Sequence, residues 1–130
     1  MDVEHYLKSM NMLSILKELI TAGRIPKMSV LFISHNGAPS RHKDYTCNER
    51  FARYVAEDVV FWAQRQLKSI SNKGNVVCGV SLSGLASAHI ALNFPLVFSS
   101  SLCQSGSFWW HRKHFAGLPG NYDLSKSRFC

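Results

Sequence analysis

"CGVSLSGLASAHIALNF", residues 78–94, is the stretch on which the reading of this chain turns. Its first residues close a short apolar run, "NVVCGV" (75–80), with the β-branched content and brevity of a buried strand. Ser83 to Phe94 then reads as an amphipathic helix, closed by Pro95. A serine on the turn between a strand and a helix gives the G-x-S-x-G pattern its chemical meaning, because the sharp turn exposes the hydroxyl above the sheet. Here the pattern comes out as Gly79-Val80-Ser81-Leu82-Ser83, with the second glycine displaced to Gly84. Small residues are needed on both sides because strand and helix backbones pass close together. Gly79 meets that demand, and Ser83 meets it less well. At the helix start Ser81 would feel the N-terminal dipole, and the backbone N–H of Leu82 would point at a developing oxyanion. The same pattern also fits an ordinary tight-turn serine.

Outward from this turn, the chain alternates. Apolar positions Leu7, Met10, Leu13, Leu16, Leu19 and Ile20 predict a helix from His5 to Ile20, stopped by Gly23 and Pro26. "MSVLFIS" (28–34) has the continuous apolar pattern of a strand buried on both faces. A polar loop follows, "HNGAPSRHKDYTC", with Gly37 and Pro39 as breakers. Asn48 caps the next helix, with Glu49 in its first turn and Phe51, Val55, Val59 and Trp62 marking its buried face to about Ile70. "SNKG" is a turn, and "VFSSSLCQS" reads as a strand after the serine helix. The order helix-strand-helix-strand-helix-strand predicts an α/β fold, three-layered, with parallel strands joined by right-handed crossovers. One domain spanning 1–130 is expected, with 111–130 an irregular basic tail.

Composition narrows the partners. Fifteen Lys+Arg against eight Asp+Glu give a formal net charge of +7, which suits either plain solubility or an anionic partner. The basic residues are dispersed apart from His111-Arg112-Lys113-His114, and no nucleic-acid motif accompanies them, so nucleic acid is not the expected partner. No apolar run approaches the ~18 to 20 residues of a membrane span. Met1-Asp2-Val3-Glu4 lacks the basic and apolar regions of a secretory signal, which predicts a cytoplasmic location. Cys47, Cys78, Cys103 and Cys130 show no C-x-x-C spacing and read as reduced core thiols, with no metal site and no cofactor.

Beyond the serine turn, "QSGSFWW" (104–110) adds a second specific block. Together with "GVSLSGLASAHIALNF" it resembles the elbow and following strand of the enterochelin esterases, an α/β-hydrolase branch that opens ferric siderophore lactones. "RHKDYTCNERF" is similar to that family's Arg-x-x-Glu-Leu-x-x-Asn-x-x-Phe block, keeping Arg41, Asn48 and Phe51, with Asp44 in place of the glutamate. "LITAGRIPKMSVLFIS" resembles its helix, G-x-x-P-P turn and strand, with Lys27 for the second proline and Ser34 for an aspartate. Asp2-Val3-Glu4 resembles its Asp-Gly-Gln entry. The resemblance implies a partial α/β-hydrolase fold. It implies that Ser81 is the nucleophile, Leu82 an oxyanion-hole donor and Arg41 a substrate-facing cation, for which an ion pair with Asp44 is the alternative. The implied ligand is an anionic ferric siderophore, whose iron arrives with the substrate.

The family's acid and its Gly-Gly-His-Asp segment have no counterpart among these 130 residues. His111 and His114 come too early, Asp123 lies in unpatterned sequence, His89 falls inside a helix, and His35 and His42 fall in a loop. Without a base a serine is a weak nucleophile at neutral pH. The rival expectation is therefore a catalytically silent fragment that binds anions or pairs with a complementing polypeptide. Acyl transfer is a third reading. A three-stranded parallel sheet without neighbours would expose its edges, so marginal stability or oligomerisation is expected.

Overall fold

The computed structural model describes residues 3–67, 74–111 and 128–129. The expected helix end near Ile70, most of the "SNKG" turn, Asp2, Arg112 to His114, Asp123 and Cys130 lie outside the described residues. The chain divides into two compact units, Met1–Asn36 and Gly37–Cys130.

In the first unit the expected helix is interrupted. A π-helical turn, His5–Ser9, is followed by a break at Asn11 and then by α1, Met12–Thr21. Asn11 takes φ 46° and ψ 35°, a left-handed conformation that asparagine adopts more readily than most L-residues. Apolar periodicity continues across that break and so cannot register it. The stop is the expected one. Gly23 adopts φ 68°, its N–H donates to the Ile20 carbonyl at 3.1 Å, and Arg24 N–H donates to the Leu19 carbonyl at 2.9 Å, closing the helix as a Schellman motif. The run 28–34 does not become the expected buried strand: no ladder among the described residues includes it, and Val30, Leu31 and Ile33 stay exposed. A parallel strand exists only through the N–H and C=O groups of a neighbour. Apolar side chains favour burial but supply no such partner.

The second unit opens with a further departure, because the predicted loop contains α2, Gly37–Tyr45. Its breakers act as starters. Pro39 falls in the first turn, where a missing N–H costs nothing. Asn48 then caps the next helix as predicted. Its Oδ1 accepts from Arg50 N–H at 2.9 Å and Phe51 N–H at 3.2 Å, and its Nδ2 donates to the Lys43 carbonyl at 3.0 Å. One side chain thus closes α2 and opens α3, Glu49–Arg53. A π-helical stretch, Tyr54–Val59, leads on to α4, Val60–Gln66. The wider turn rotates the apolar stripe. Ala52, Val55, Ala56 and Ala63 are buried, whereas Trp62, expected on that face, is 54% exposed.

The sheet is built from β1, Asn75–Val80, and β2, Phe98–Gln104, paired in parallel from Asn75↔Phe98 to Val80↔Gln104. The two-residue β3, Arg128–Phe129, pairs in parallel with Ser100 and Ser101 of β2. Between β1 and β2 runs α5, Leu82–Asn93. The expected amphipathic helix is in fact buried all round: Leu82 and every residue from Gly84 to Leu92 are buried. Its sequence carries no Lys, Arg, Asp or Glu, so no face is reserved for water. Ile90 and Ala91 pack with Ala52, Val55, Ala56 and Phe98, and Val77 joins that cluster from β1. Tyr45 packs with Leu82, Leu85 and Ala86. The α/β class with parallel strands therefore holds. The opposite sheet face is more open than a three-layer arrangement predicts, because Val76, Cys78 and Leu102 are exposed.

Replacing Asn48 by alanine removes the cap of α3 and the tie to α2 together. A loss of about 1–2 kcal/mol is expected, measured as a lowered urea midpoint at unchanged m-value.

Candidate active site: the Ser81 elbow

Ser81 stands between β1 and α5 at φ 59° and ψ −122°, outside the regions open to most L-residues. Backbone of this kind costs about 1–3 kcal/mol and persists only when its surroundings hold it. The holding contacts are explicit. Ser81 N–H donates to the Gln104 carbonyl at 3.0 Å. The Ser81 carbonyl accepts from Gly84 N–H at 3.0 Å, Leu85 N–H at 3.2 Å and Ser107 N–H at 3.0 Å. Both adjoining strands, the first turn of α5 and the segment after β2 thus converge on one peptide. The Ser81 side of that turn faces solvent.

The glycines follow from the same crowding. A Cβ on Gly79 would run into the carbonyl carbon and oxygen of Ser83 and come within 2.7 Å of Gly84 N. One on Gly84 would come within 3.0 Å of Gly106 Cα and 3.2 Å of the Gly79 carbonyl oxygen. The glycine that looked displaced is therefore where two backbones touch. Ser83, at the position where the pattern has glycine, is employed differently: its Oγ donates to the Val80 carbonyl at 2.8 Å and accepts from Val80 N–H at 3.0 Å. Its hydroxyl ties the end of β1 to the start of α5.

Leu82 opens the twelve-residue α5. Among the described residues its N–H has no hydrogen-bond acceptor, as the first helical N–H groups lack intrahelical partners. It remains available to an anion at the positive end of the helix dipole.

The "QSGSFWW" block wraps this elbow. Beyond its backbone contact, Ser107 Oγ lies 3.3 Å from Ser81 Oγ, and Ser107 is buried. Trp110 N–H donates to the Ser107 carbonyl at 3.0 Å. Trp109 and Trp110 stand exposed with ring centroids 5.5 Å apart. The His42 ring lies 5.4 Å from that of Trp110, so α2 meets the aromatic pair. Arg41 is half-buried on α2, whose Tyr45 packs on the first turns of α5. The alternative ion pair does not form: no Arg41–Asp44 bridge occurs among the described residues, and Asp44 Oδ2 accepts instead from Ser40 Oγ at 3.4 Å.

The single histidine of α5 lies away from the elbow. His89 is buried, its ring lying 3.1 Å from Asn93 Nδ2 at Nδ1. It sits seven residues beyond Leu82, ~10 Å along the axis at 1.5 Å per residue, far from the Ser81 hydroxyl. Among the described residues Ser107 Oγ is the one hydrogen-bond partner of Ser81 Oγ. Cys47, Cys78 and Cys103 are free thiols, but none is a fully buried core residue as expected; Cys78 is exposed. Burial raises the Cys47 thiol to about 11. Among the described residues no group of three or more His, Cys, Asp or Glu could hold a metal ion, and no helix is long and apolar enough to cross a membrane. The sequence places Ser107 in the "QSGSFWW" block but does not bring it to Ser81; that contact belongs to the tertiary structure.

A family profile described as "Putative esterase" matches residues 2–126. Among curated proteins the chain is 30% identical over 117 residues to the iron(III) enterobactin esterase of Dickeya dadantii, covering 88% of this chain and 27% of that protein. It is 28% identical over 115 residues to the iron(III) enterobactin esterase of Escherichia coli K12, covering 86% of this chain and 28% of the other. The chain thus spans little more than a quarter of the curated relatives it matches. An enterobactin esterase of Shigella flexneri crystallised in the presence of enterobactin superposes with a TM-score of 0.77 at 26% identity, over 85% of this chain and 29% of that one. A further structure of the Shigella flexneri enterochelin esterase gives 0.85 at 24% identity, over 98% and 35% of the two chains.

Two substitutions check the account of the turn. Gly79→Ala forces the Ser83 peptide to move and should cost about 3 kcal/mol, the upper end for overpacking. Ser83→Gly restores the familiar pattern yet should destabilise by about 2 kcal/mol, because two hydrogen bonds to Val80 are lost and a helical glycine is gained. Chemical denaturation of both variants measures this; a more stable Ser83→Gly protein would contradict it.

Proposed function

Because the chain belongs to this esterase family, we propose that it carries the nucleophile-bearing part of a carboxylic-ester hydrolase acting on ferric siderophore lactones of the enterobactin type. The observation that carries this reading is the exposed serine held at φ 59° between β1 and α5. In the proposed reaction Ser81 Oγ attacks the ester carbonyl, and Leu82 N–H donates to the oxygen that becomes the tetrahedral oxyanion. The substrate oxygen leaves as an alcohol by taking up the proton that Ser81 lost, and water then releases the acid from the acyl-serine. The Ser81 proton passes to a base other than the described residues bonded to it, as a histidine does in a serine triad. Arg41, unpaired among the described residues, faces the anionic catecholate. The net charge of +7 is consistent with such a substrate. Iron enters with the siderophore and leaves with its products.

A second reading also has a specific observation in its favour. Ser81 Oγ is hydrogen-bonded to a neutral hydroxyl and to no imidazole among the described residues, which suits a silent anion-binding module or one half of a complemented pair. In that state only the residual acceleration of an oxyanion hole and binding, ~10³ to 10⁴ over water, would remain.

Fluorophosphonate treatment followed by peptide mass spectrometry discriminates the two. The hydrolase reading expects an adduct on Ser81 that Ser81→Ala abolishes; an unlabelled Ser81 supports the silent module. Arg41→Ala is expected to weaken binding of ferric enterobactin by about tenfold, the effect of losing a charge-assisted hydrogen bond, read from quenching of tryptophan fluorescence.

A further inference from the structure

Ser107 is connected to Ser81 twice, by its N–H to the Ser81 carbonyl at 3.0 Å and by its Oγ to the Ser81 Oγ at 3.3 Å. The residue is 6% exposed, and among the described residues its hydroxyl has no other hydrogen-bond partner. A buried hydroxyl without any partner is costly, so this side chain depends on Ser81. We propose that Ser107 is a positioning residue for the reaction: its hydroxyl selects one rotamer of Ser81 and donates to Ser81 Oγ while that atom gives up its proton. This rests on Ser81 being the nucleophile.

The direction of the bond follows from proton count. In the resting state either hydroxyl can donate. Once the Ser81 proton moves toward a base, Ser81 Oγ has none left to give. Ser107, whose Oγ–H has nowhere else to go among the described residues, must then be the donor. The bond is therefore strongest when charge develops on Ser81 Oγ, because hydrogen bonds to charged groups exceed neutral ones. Two backbone contacts hold the segment around Ser107 against the elbow. Gly106, the preceding residue, packs its Cα against Gly84 of α5, and Trp110 N–H holds the Ser107 carbonyl at 3.0 Å.

Ser107→Ala isolates the hydroxyl, since the backbone bond from residue 107 to the Ser81 carbonyl survives. Fluorophosphonate labelling of the full chain is followed by mass spectrometry across pH. The substitution is expected to slow labelling of Ser81 about three- to tenfold and to move the midpoint of its pH profile upward, with the far-ultraviolet circular dichroism unchanged. Equal rates and superimposable profiles overturn the proposal. Failure of the unaltered chain to label counts against Ser81 as nucleophile, and a second measurement then decides the rotamer selection on which the positioning role depends. The Ser81 Hα–Hβ scalar couplings should report a single χ1 rotamer in the unaltered chain and averaging in Ser107→Ala; couplings unchanged by the substitution overturn it.

Discussion

A single peptide carries the architecture of the second unit. The Ser81 carbonyl accepts three backbone N–H groups, from Gly84, Leu85 and Ser107, while Ser81 N–H donates to Gln104. These bonds offset the unfavourable φ of 59°, and they do so from elements far apart in the chain. Helix α5 can begin only where the strand β1 stops, and the segment after β2 must return to the same point. The hydroxyl is left outward because every backbone group of the residue is engaged inward. An outward-facing hydroxyl at a strained position is thus a by-product of how strand, helix and the segment after β2 are joined.

Around that peptide, closeness of backbones replaces bulk of side chains. Gly79 lies under the Ser83 peptide and Gly84 against Gly106. Farther along, Ala86, Ala88 and Ala91 of α5 are buried together with Ala52, Ala56 and Ala63 of the outer helices. Small residues let a helix with no charged side chain sit between the sheet and two other helical segments. The interior is therefore sensitive to added volume, since packed protein cores have few voids able to accept a methyl group. Ser83 shows how such a site accommodates a departure from its usual pattern. The hydroxyl fills its space by bonding to Val80 rather than by displacing backbone.

Where local rules met local structure, the reading from sequence was sound. The Gly23 stop, the Asn48 cap, the strand 75–80 and the helix after Ser81 each depend on a few neighbouring residues. It failed where the outcome depended on a partner or on phase. Residues 28–34 are apolar enough for a buried strand but form no ladder. Gly37 and Pro39 have the character of breakers, yet both are compatible with the start of α2. Trp62 moved to the outside because the π-helical stretch Tyr54–Val59 shifted the helical phase. No periodicity in the sequence announces that shift.

The sequence by itself determined that a serine would stand on a strand–helix turn among small residues, in a basic chain whose motifs follow one esterase family. Those properties are local, set by residue size, backbone freedom and charge. Tertiary structure alone decided that Gly84 opposes Gly106, that Arg41 has no ion pair with Asp44, and that a buried serine 26 residues downstream touches the Ser81 hydroxyl. The physical reason is the parallel pairing of β1 with β2. It brings Val80 beside Gln104, and so carries the segment beyond Gln104 onto the elbow, a proximity that separation along the chain conceals.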